Sequence, residues 1–376
     1  MTDSITLGRI SGIRIGINWS WFVVFGLIVW TLYAGIFPTS NPGLGDGTYA
    51  VMAVVAALVF FLSLLLHELG HAIQARRDGM EIEGITLWLF GGVAKFKGMF
   101  PSAGAEFRIA IAGPLVSLVL GVGFVLLAWG ADFPSSVGGT LMWLGRINLV
   151  LLVFNLLPAL PLDGGRVLRS ALWHLKGDFG SATRLAAGIG RGFGYLFIAA
   201  GLFFFFFEGA FSGAWLAFIG WFLLSAAGAE DRALLARQTL GGLRVRDLMV
   251  PEPVTATPGQ TIGEFMDRLV WRENHTTYPV VEEGRAVGLL PFRCVAAVPR
   301  GEWDERQVRE CMLPLAEVPV LGADDELIDA AGDLQESEVR RGLVLDGGRL
   351  VGLLSLTDVA RAFELRRRLR QARRPA

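Results

Sequence analysis

Cysteine is almost missing from this 376-residue chain: Cys294 and Cys311 are its two thiols, too few for a disulfide framework, and they read as ordinary reduced residues of a cytosolic segment. Charge is scarce as well. Charged residues make up 18% of the chain and cancel to a net −1, so there is no global basic field to draw in nucleic acid. The first fifteen residues lack the basic, then apolar, then small-residue order of a cleaved leader, and the first apolar span is therefore expected to stay in the mature protein. What is abundant is apolar: 53% hydrophobic residues, 26 Phe and 11 Trp, with a mean hydropathy of +0.50. That excludes a disordered chain and a wholly soluble one, and leaves a membrane protein.

A helix that crosses a bilayer needs about 20 largely apolar residues. Six stretches qualify: Trp19 to Phe37, Tyr49 to Gln74, Phe107 to Trp129, Leu141 to Leu157, Phe193 to Phe207 and Ala210 to Ala229. The fifth is short and turns at Glu208 and Gly209 into the sixth, so these two could form a hairpin that does not fully span. Basic residues fall in alternate connections, with Arg9 and Arg14 first, then Arg76, Arg77, Lys95, Lys97 and Arg108, then Arg166, Arg169, Lys176, Arg184 and Arg191. The remaining loops have none, which by the positive-inside rule puts both ends of the chain in the cytoplasm; the expected location is the cell membrane. Arg146 is an exception near the outer end of the fourth span, and it reads as a snorkelling side chain or as an interior polar contact.

After Ala229 the texture becomes that of a soluble α/β module, and the module repeats. Val245-Arg-Asp-Leu-Met249 is echoed by Val308-Arg-Glu-Cys-Met312, and Val287-Gly-Leu-Leu290 by Val351-Gly-Leu-Leu354, an offset of 63 to 64 residues. Each copy has a helical stretch (Thr261 to Trp271; Glu326 to Leu334), then two strands joined by a Gly turn (Tyr278 to Leu290; Gly342 to Leu354). Two half-modules stacked as a pair is the expected arrangement.

Histidine is rare, with four in the chain, yet two stand four residues apart inside an apolar run, Leu66-His67-Glu68-Leu69-Gly70-His71. At that spacing both imidazoles project from one helical face and can reach one metal ion, while Glu68 between them can take a proton from water. An ionisable group within a span costs roughly 3 kcal/mol on insertion scales, so such groups are functional by default. Catalytic zinc wants a third protein ligand. About twenty residues downstream the chain offers Phe90, Gly91 and Gly92, so the ligand must come from elsewhere, and the candidate is Asp163 at the inner end of the fourth span. At 1.5 Å per residue, His67 lies about 27 Å and Asp163 about 33 Å below the outer starts of their spans, a similar depth. Pro158 and Pro161 break the helix there, and irregular backbone at that depth is tolerated only where it lines protein or a water-filled cavity. Asn155 could donate a hydrogen bond to a developing oxyanion, or could tie two helices together.

The pair His67-Glu68-Leu69-Gly70-His71 and Asn155-x-x-Pro158-x-x-Pro161-Leu162-Asp163-Gly164 resembles the site-2 protease family of intramembrane zinc metalloproteases, over roughly Ile10 to Leu240. The resemblance implies His67, His71 and Asp163 as ligands to one Zn2+, Glu68 as general base, and Asn155 as a contact to substrate or oxyanion. It also implies a membrane-associated β-hairpin after the second span. Glu83 to Lys97, with Gly91 and Gly92 in its middle, fits that element, and an edge strand there could pair with an extended substrate. Gly113 and Pro114 fit the family as well as they fit plain helix packing. The variety with six spans carries a C-terminal pair of CBS domains, which the repeated module is similar to. In CBS domains a Gly-x-x-Ser/Thr-x-x-Asp stretch holds an adenosine nucleotide. Gly352, Ser355 and Asp358 complete it in the second copy, whereas Pro291 and Cys294 replace Ser and Asp in the first. A nucleotide sensor and a purely structural or dimerising module are both open readings of that pair.

The expected fold is thus a polytopic α-helical membrane protein of six transmembrane helices and a short membrane-associated β-hairpin, with a soluble α/β CBS pair. Its parts are 1–240 (protease), 241–301 and 302–365 (the CBS copies) and a basic tail, 366–376, that can touch anionic lipid. The partners so implied are a transmembrane protein substrate, the lipid bilayer, an adenine nucleotide and a second copy through the CBS pair, with no nucleic acid. Membrane-tethered regulators such as anti-sigma factors, or remnant signal peptides, are the substrates the resemblance suggests. A CBS-regulated ion channel or transporter is the alternative. It explains the motif poorly, because hard permeating cations prefer all-oxygen sites to imidazoles. A catalytically dead membrane scaffold would leave the His, Glu and Asp set unexplained.

Overall fold

A computed structural model describes residues 5–10, 12–89, 91–96, 98–209, 211–270 and 275–372. The residues outside that description include Phe90 and Lys97 of the expected hairpin, Trp271 of the first CBS helix and 373–376 of the basic tail. The chain divides into two compact units, Met1–Leu234 and Leu235–Ala376.

Among the described residues six helices are long and apolar enough to cross a membrane, and the first unit contains five of them and most of the sixth. They are α1 (Ser20–Ser40, with a π-helical turn at Leu32–Ile36), α2 (Asp46–Arg77), α3 (Ala103–Gly130), α4 (Ser135–Asn155), α6 (Phe179–Phe207) and α7 (Phe211–Leu240). A shorter amphipathic helix, α5 (Asp163–Lys176), intervenes after the proline break. The starts and stops follow local chemistry. Ser102 accepts a hydrogen bond from Ala105 N at the head of α3, Asp178 accepts from Gly180 N and Ser181 N at the head of α6, and α5 stops at the left-handed Gly177.

The fifth span begins at Phe179, fourteen residues before the apolar run does. Arg184 and Arg191 lower the hydropathy of that first half without breaking the helix, whose buried face there is Ala182, Thr183, Ala186, Ala187 and Gly190, and Arg191 pairs with Asp231 of α7. With 29 residues, at about 1.5 Å each, α6 is long enough to cross. Gly194 and Gly201 of α6 meet Gly220 and Gly213 of α7 with no room for side chains, so the two helices touch backbone to backbone.

A four-stranded sheet packs on the C-terminal half of α2. Its order is β1 (Ile5–Ile10), β2 (Ile13–Ile17), β3 (Ile82–Trp88), β4 (Gly91–Phe96), antiparallel except that β2 runs parallel to β3. Ile13, Ile15, Ile17, Ile85 and Leu87 are buried, and the alternate-residue spacing of the three β2 isoleucines turns one face of the strand onto the helix. The N-terminal strand pair has no counterpart in the sequence expectations, although that alternation signals it. The hairpin itself differs in detail. Gly91 and Gly92 open β4, opposite Trp88 and Leu87, and do not form its turn.

The second unit is the repeated α/β module. In copy one, β6 (Thr277–Glu282) and β7 (Arg285–Pro291) form a hairpin, and in copy two β10 (Arg341–Asp346) and β11 (Arg349–Ser355) do the same. The leading segments are exchanged. Val250–Pro251 of copy one (β5) pairs with β11, and Leu313–Pro314 of copy two (β8) pairs with β7. Val245 N bonds to Asp325 O at 3.1 Å, and Val308 N to Gln260 O at 3.0 Å. Consequently each core borrows from the other copy: Leu240 and Val245 join Leu327, Leu334, Val344 and Leu354, while Val308 joins Ile262, Phe265, Tyr278 and Leu290. Val320–Leu321 (β9) completes the sheet beside β10. Helices α8 (Leu327–Glu336) and α9 (Leu356–Ala372) cover copy two.

Candidate metal and active site

Three helices converge on one point. α2 carries His67, Glu68 and His71 on adjoining faces, α5 begins with Asp163, and α3 lies alongside. His67 Nε2, His71 Nε2 and Asp163 Oδ2 are separated by 3.2, 3.2 and 3.3 Å. Both imidazoles are buried, at 2% and 7% exposure. A tetrahedron with metal–ligand bonds of about 2.0–2.1 Å has edges of about 3.3 Å, so the three atoms stand where zinc ligands stand.

The opposite ring nitrogens are anchored by α3. His71 Nδ1 lies 2.6 Å from the Ile109 carbonyl oxygen, and His67 Nδ1 2.9 Å from Ser117 Oγ. A carbonyl only accepts, so His71 Nδ1 carries the proton and its Nε2 presents a lone pair to the cluster. Two imidazole nitrogens and a carboxylate oxygen facing one another at this separation call for a shared cation, and the N,N,O donor set suits zinc. Space for it exists because residue 113 is glycine: a Cβ there would fall 2.6 Å from His67 Nε2 and overlap His71 Nε2.

Glu68 is half-buried and lies within electrostatic reach of His71, His67, Asp163 and Arg166. Strand β4 covers it. A Cβ on Gly92 would sit on the Glu68 side chain, 3.1 Å from Oε1, while one on Gly91 would touch Leu64. The two glycines therefore belong beside the HExxH helix for a reason other than turning the chain. Asn155 ends α4 half-buried, and no side-chain hydrogen bond of its own is found among the described residues. Between it and Asp163 the backbone turns through Pro158 and Pro161, with the Leu160–Pro161 peptide cis. Gly164 and Gly165 then let α5 pack directly on the backbone of residues 156–160.

Behind this cluster lies an ion triad that sequence reasoning missed. Arg169 of α5 is 3% exposed and bonds through Nε to Glu106 Oε1 of α3 at 2.7 Å, with Nη1 3.3 Å from Glu230 Oε2 of α7. No spacing in the sequence marks these three as neighbours, and Ser117 is equally anonymous among apolar residues.

In the second unit, Ser355 Oγ donates to Asp358 Oδ2 at 2.5 Å and Asp358 N donates to Ser355 Oγ at 3.2 Å, so the pair caps α9. A Cβ on Gly352 would press on Met249. The three residues expected to hold a nucleotide thus lie together at the start of α9 and on the strand before it.

A buried two-histidine, one-carboxylate cluster among membrane-length helices defines a metal-dependent membrane enzyme. The family model for peptidase family M50 matches residues 55–139 and 130–199, and the CBS-domain model matches 245–297 and 308–365. Rip3 of Mycobacterium tuberculosis is 38% identical over 98% of this chain and 94% of its own length. The zinc metalloprotease MJ0392 of Methanocaldococcus jannaschii is 32% identical over 97% of each chain. Among solved structures, a site-2 protease from Methanocaldococcus jannaschii is 31% identical, covering 61% of this chain and 95% of that one, with a TM-score of 0.42. The chain belongs to the site-2 protease family, peptidase family M50, and is a multi-pass intramembrane zinc metalloendopeptidase with a C-terminal CBS pair.

Proposed function

We propose that the protein hydrolyses peptide bonds within or next to transmembrane segments of membrane-protein substrates, with His67, His71 and Asp163 holding one zinc ion and Glu68 as the general base. The observation that carries this reading is the 3.2–3.3 Å triangle of donor atoms with Glu68 beside it. When bound, zinc would supply Lewis-acid polarisation of the scissile carbonyl and acidify water. Ile109 O and Ser117 Oγ hold the two imidazoles, and the anchored Nδ1–H bonds keep the ligating lone pairs aimed inward. Glu68 takes the proton of the attacking water and delivers it to the leaving amine nitrogen. Asn155 is assigned as a contact to substrate or oxyanion on the family resemblance and on the ability of its amide to donate a hydrogen bond.

Carbonyls of an intact helix are already hydrogen-bonded, so the substrate must be extended locally before it can react. β4 pairs only with β3 among the described strands, and its other edge is a template for such an extended segment, with Gly91 and Gly92 next to Glu68. The basic connections support a plasma-membrane location with both termini and the CBS pair in the cytoplasm. Purified wild type and Glu68→Gln in detergent should each carry one zinc per chain, and only the wild type should cleave a single-span substrate. A fully active Glu68→Gln would sink the mechanism.

For the CBS pair we propose one adenine-nucleotide site, on Gly352, Ser355 and Asp358 of the second copy, and self-association through the pair. Titration calorimetry of the full chain with ATP and AMP should give one site per chain that Asp358→Ala removes. Two sites, or unaltered binding by Asp358→Ala, would refute the assignment. Light scattering of the purified protein reads the oligomeric state, and a monomer at all concentrations would refute the dimer.

A further inference from the structure

The metal site is assembled from two halves that are distant in sequence. Both histidines sit on α2 and are oriented by α3, through Ile109 O and Ser117 Oγ. The carboxylate opens α5, which follows the stretch 156–162 that contains Pro158 and Pro161 and so lacks two backbone donors. Among the described residues, the backbone hydrogen bonds of that stretch are local and form no regular ladder to α2 or α3. α5 packs along α3, and a directional contact between the two helices would fix its position so that Asp163 Oδ2 stays 3.2–3.3 Å from both imidazoles.

The Arg169–Glu106 pair is placed to do this. Glu106 stands one helical turn before Ile109 on α3, and Arg169 stands six residues, about 9 Å, after Asp163 on α5. The guanidinium grips Glu106 Oε1 twice, from Nε at 2.7 Å and Nη2 at 2.6 Å, and reaches Glu230 Oε2 of α7 at 3.3 Å. Phe179 and Phe100 flank it, 5.0 and 5.9 Å from their ring centres. Glu106 is fully buried, and its Oε2 finds no hydrogen-bond partner among the described residues. Burying an ion pair with one oxygen unsatisfied is a poor device for stability alone, since a packed apolar pair would do as well or better. It is a good device for geometry, because the planar fork fixes direction as well as distance.

Resting on the ligand set proposed above, we infer that the Arg169–Glu106 ion pair is a strap that sets the spacing between the histidine half and the carboxylate half of the metal site. Arg169 is thereby a positioning residue for the reaction. It touches neither metal nor substrate and acts through α5 and Asp163.

The test compares full-length wild type, Asp163→Ala, Arg169→Lys and the double variant Arg169→Met with Glu106→Leu. Four quantities are read: thermal unfolding, zinc affinity by chelator competition, the visible spectrum of the cobalt-substituted protein, and kcat and KM on a single-span substrate. Asp163→Ala should lose zinc. Arg169→Lys should bind zinc about 10- to 100-fold more weakly, in the range seen for outer-shell partners of metal ligands. Its cobalt spectrum should shift and its kcat should fall with KM unchanged. The double variant should unfold at or above the wild-type temperature yet keep the weak zinc binding and the shifted spectrum. Wild-type zinc affinity and spectrum in the double variant, with Asp163→Ala zinc-free, would overturn the strap alone and reduce Arg169 to a structural residue. Should Asp163→Ala still bind zinc like the wild type, the ligand set itself falls and the strap falls with it.

Discussion

At the scale of single residues, the site depends as much on what is missing as on what is present. Glycine at position 113 leaves the volume between the two imidazoles open, and any larger residue would occupy it. Gly113→Ala is therefore expected to lose zinc and all proteolysis while the helices persist, a result that metal analysis and circular dichroism would report together. Zinc at one per chain in that variant would contradict the packing argument. The two histidines and Glu68 were legible in the sequence because one helix carries all three and the four-residue spacing translates directly into one face. Asp163 was legible less directly, through depth and broken backbone. Ser117 and the Ile109 carbonyl were not, since a hydroxyl and a peptide oxygen acquire their roles only when α3 comes to rest against α2.

Among the elements, β4 has the most specific placement. It lies on the helix of His67 and His71 through its pair of adjacent glycines, Gly91 against Leu64 and Gly92 against Glu68, so strand and helix share a surface with no strand side chain between them. Gly92→Val would push the strand off Glu68 or displace the carboxylate. The expected outcome is retained zinc with kcat reduced at least tenfold, and an unimpaired kcat would show that β4 does not govern the Glu68 environment. The sequence suggests a hairpin here with the glycines in its middle, and it does not show that they open a strand against a helix, because Gly-Gly reads equally as a turn whenever the neighbouring helix is unseen. The apolar runs located all six long helices, yet they shortened α6 by half because hydropathy registers arginines that helical geometry accommodates. The strand β1, exposed along its length, offered no burial pattern to read, and only the alternating isoleucines of β2 pointed to a sheet.

Over the whole molecule, internal repetition announced the CBS pair, and its 63- to 64-residue offset matches the spacing of the two hairpins. What repetition could not reveal is the exchange of leading segments. Val245 completes the core of copy two and Val308 that of copy one, with β5 and β8 each joining the other copy's sheet. A chain ending at residue 301 therefore has a first copy without Val308 or β8, and its last 60 residues should be unfolded and readily cleaved by added protease. A protease-resistant 241–301 segment in that truncation would argue that the halves are independent. The same exchange imposes an order on synthesis. A ribosome making this chain cannot release a finished first copy when residue 301 emerges, because the side chain that closes it, Val308, is still inside the exit tunnel. The nascent segment stays open, tethered to its membrane-inserted neighbour, until the second leader emerges, and that interval is when a chaperone can meet it.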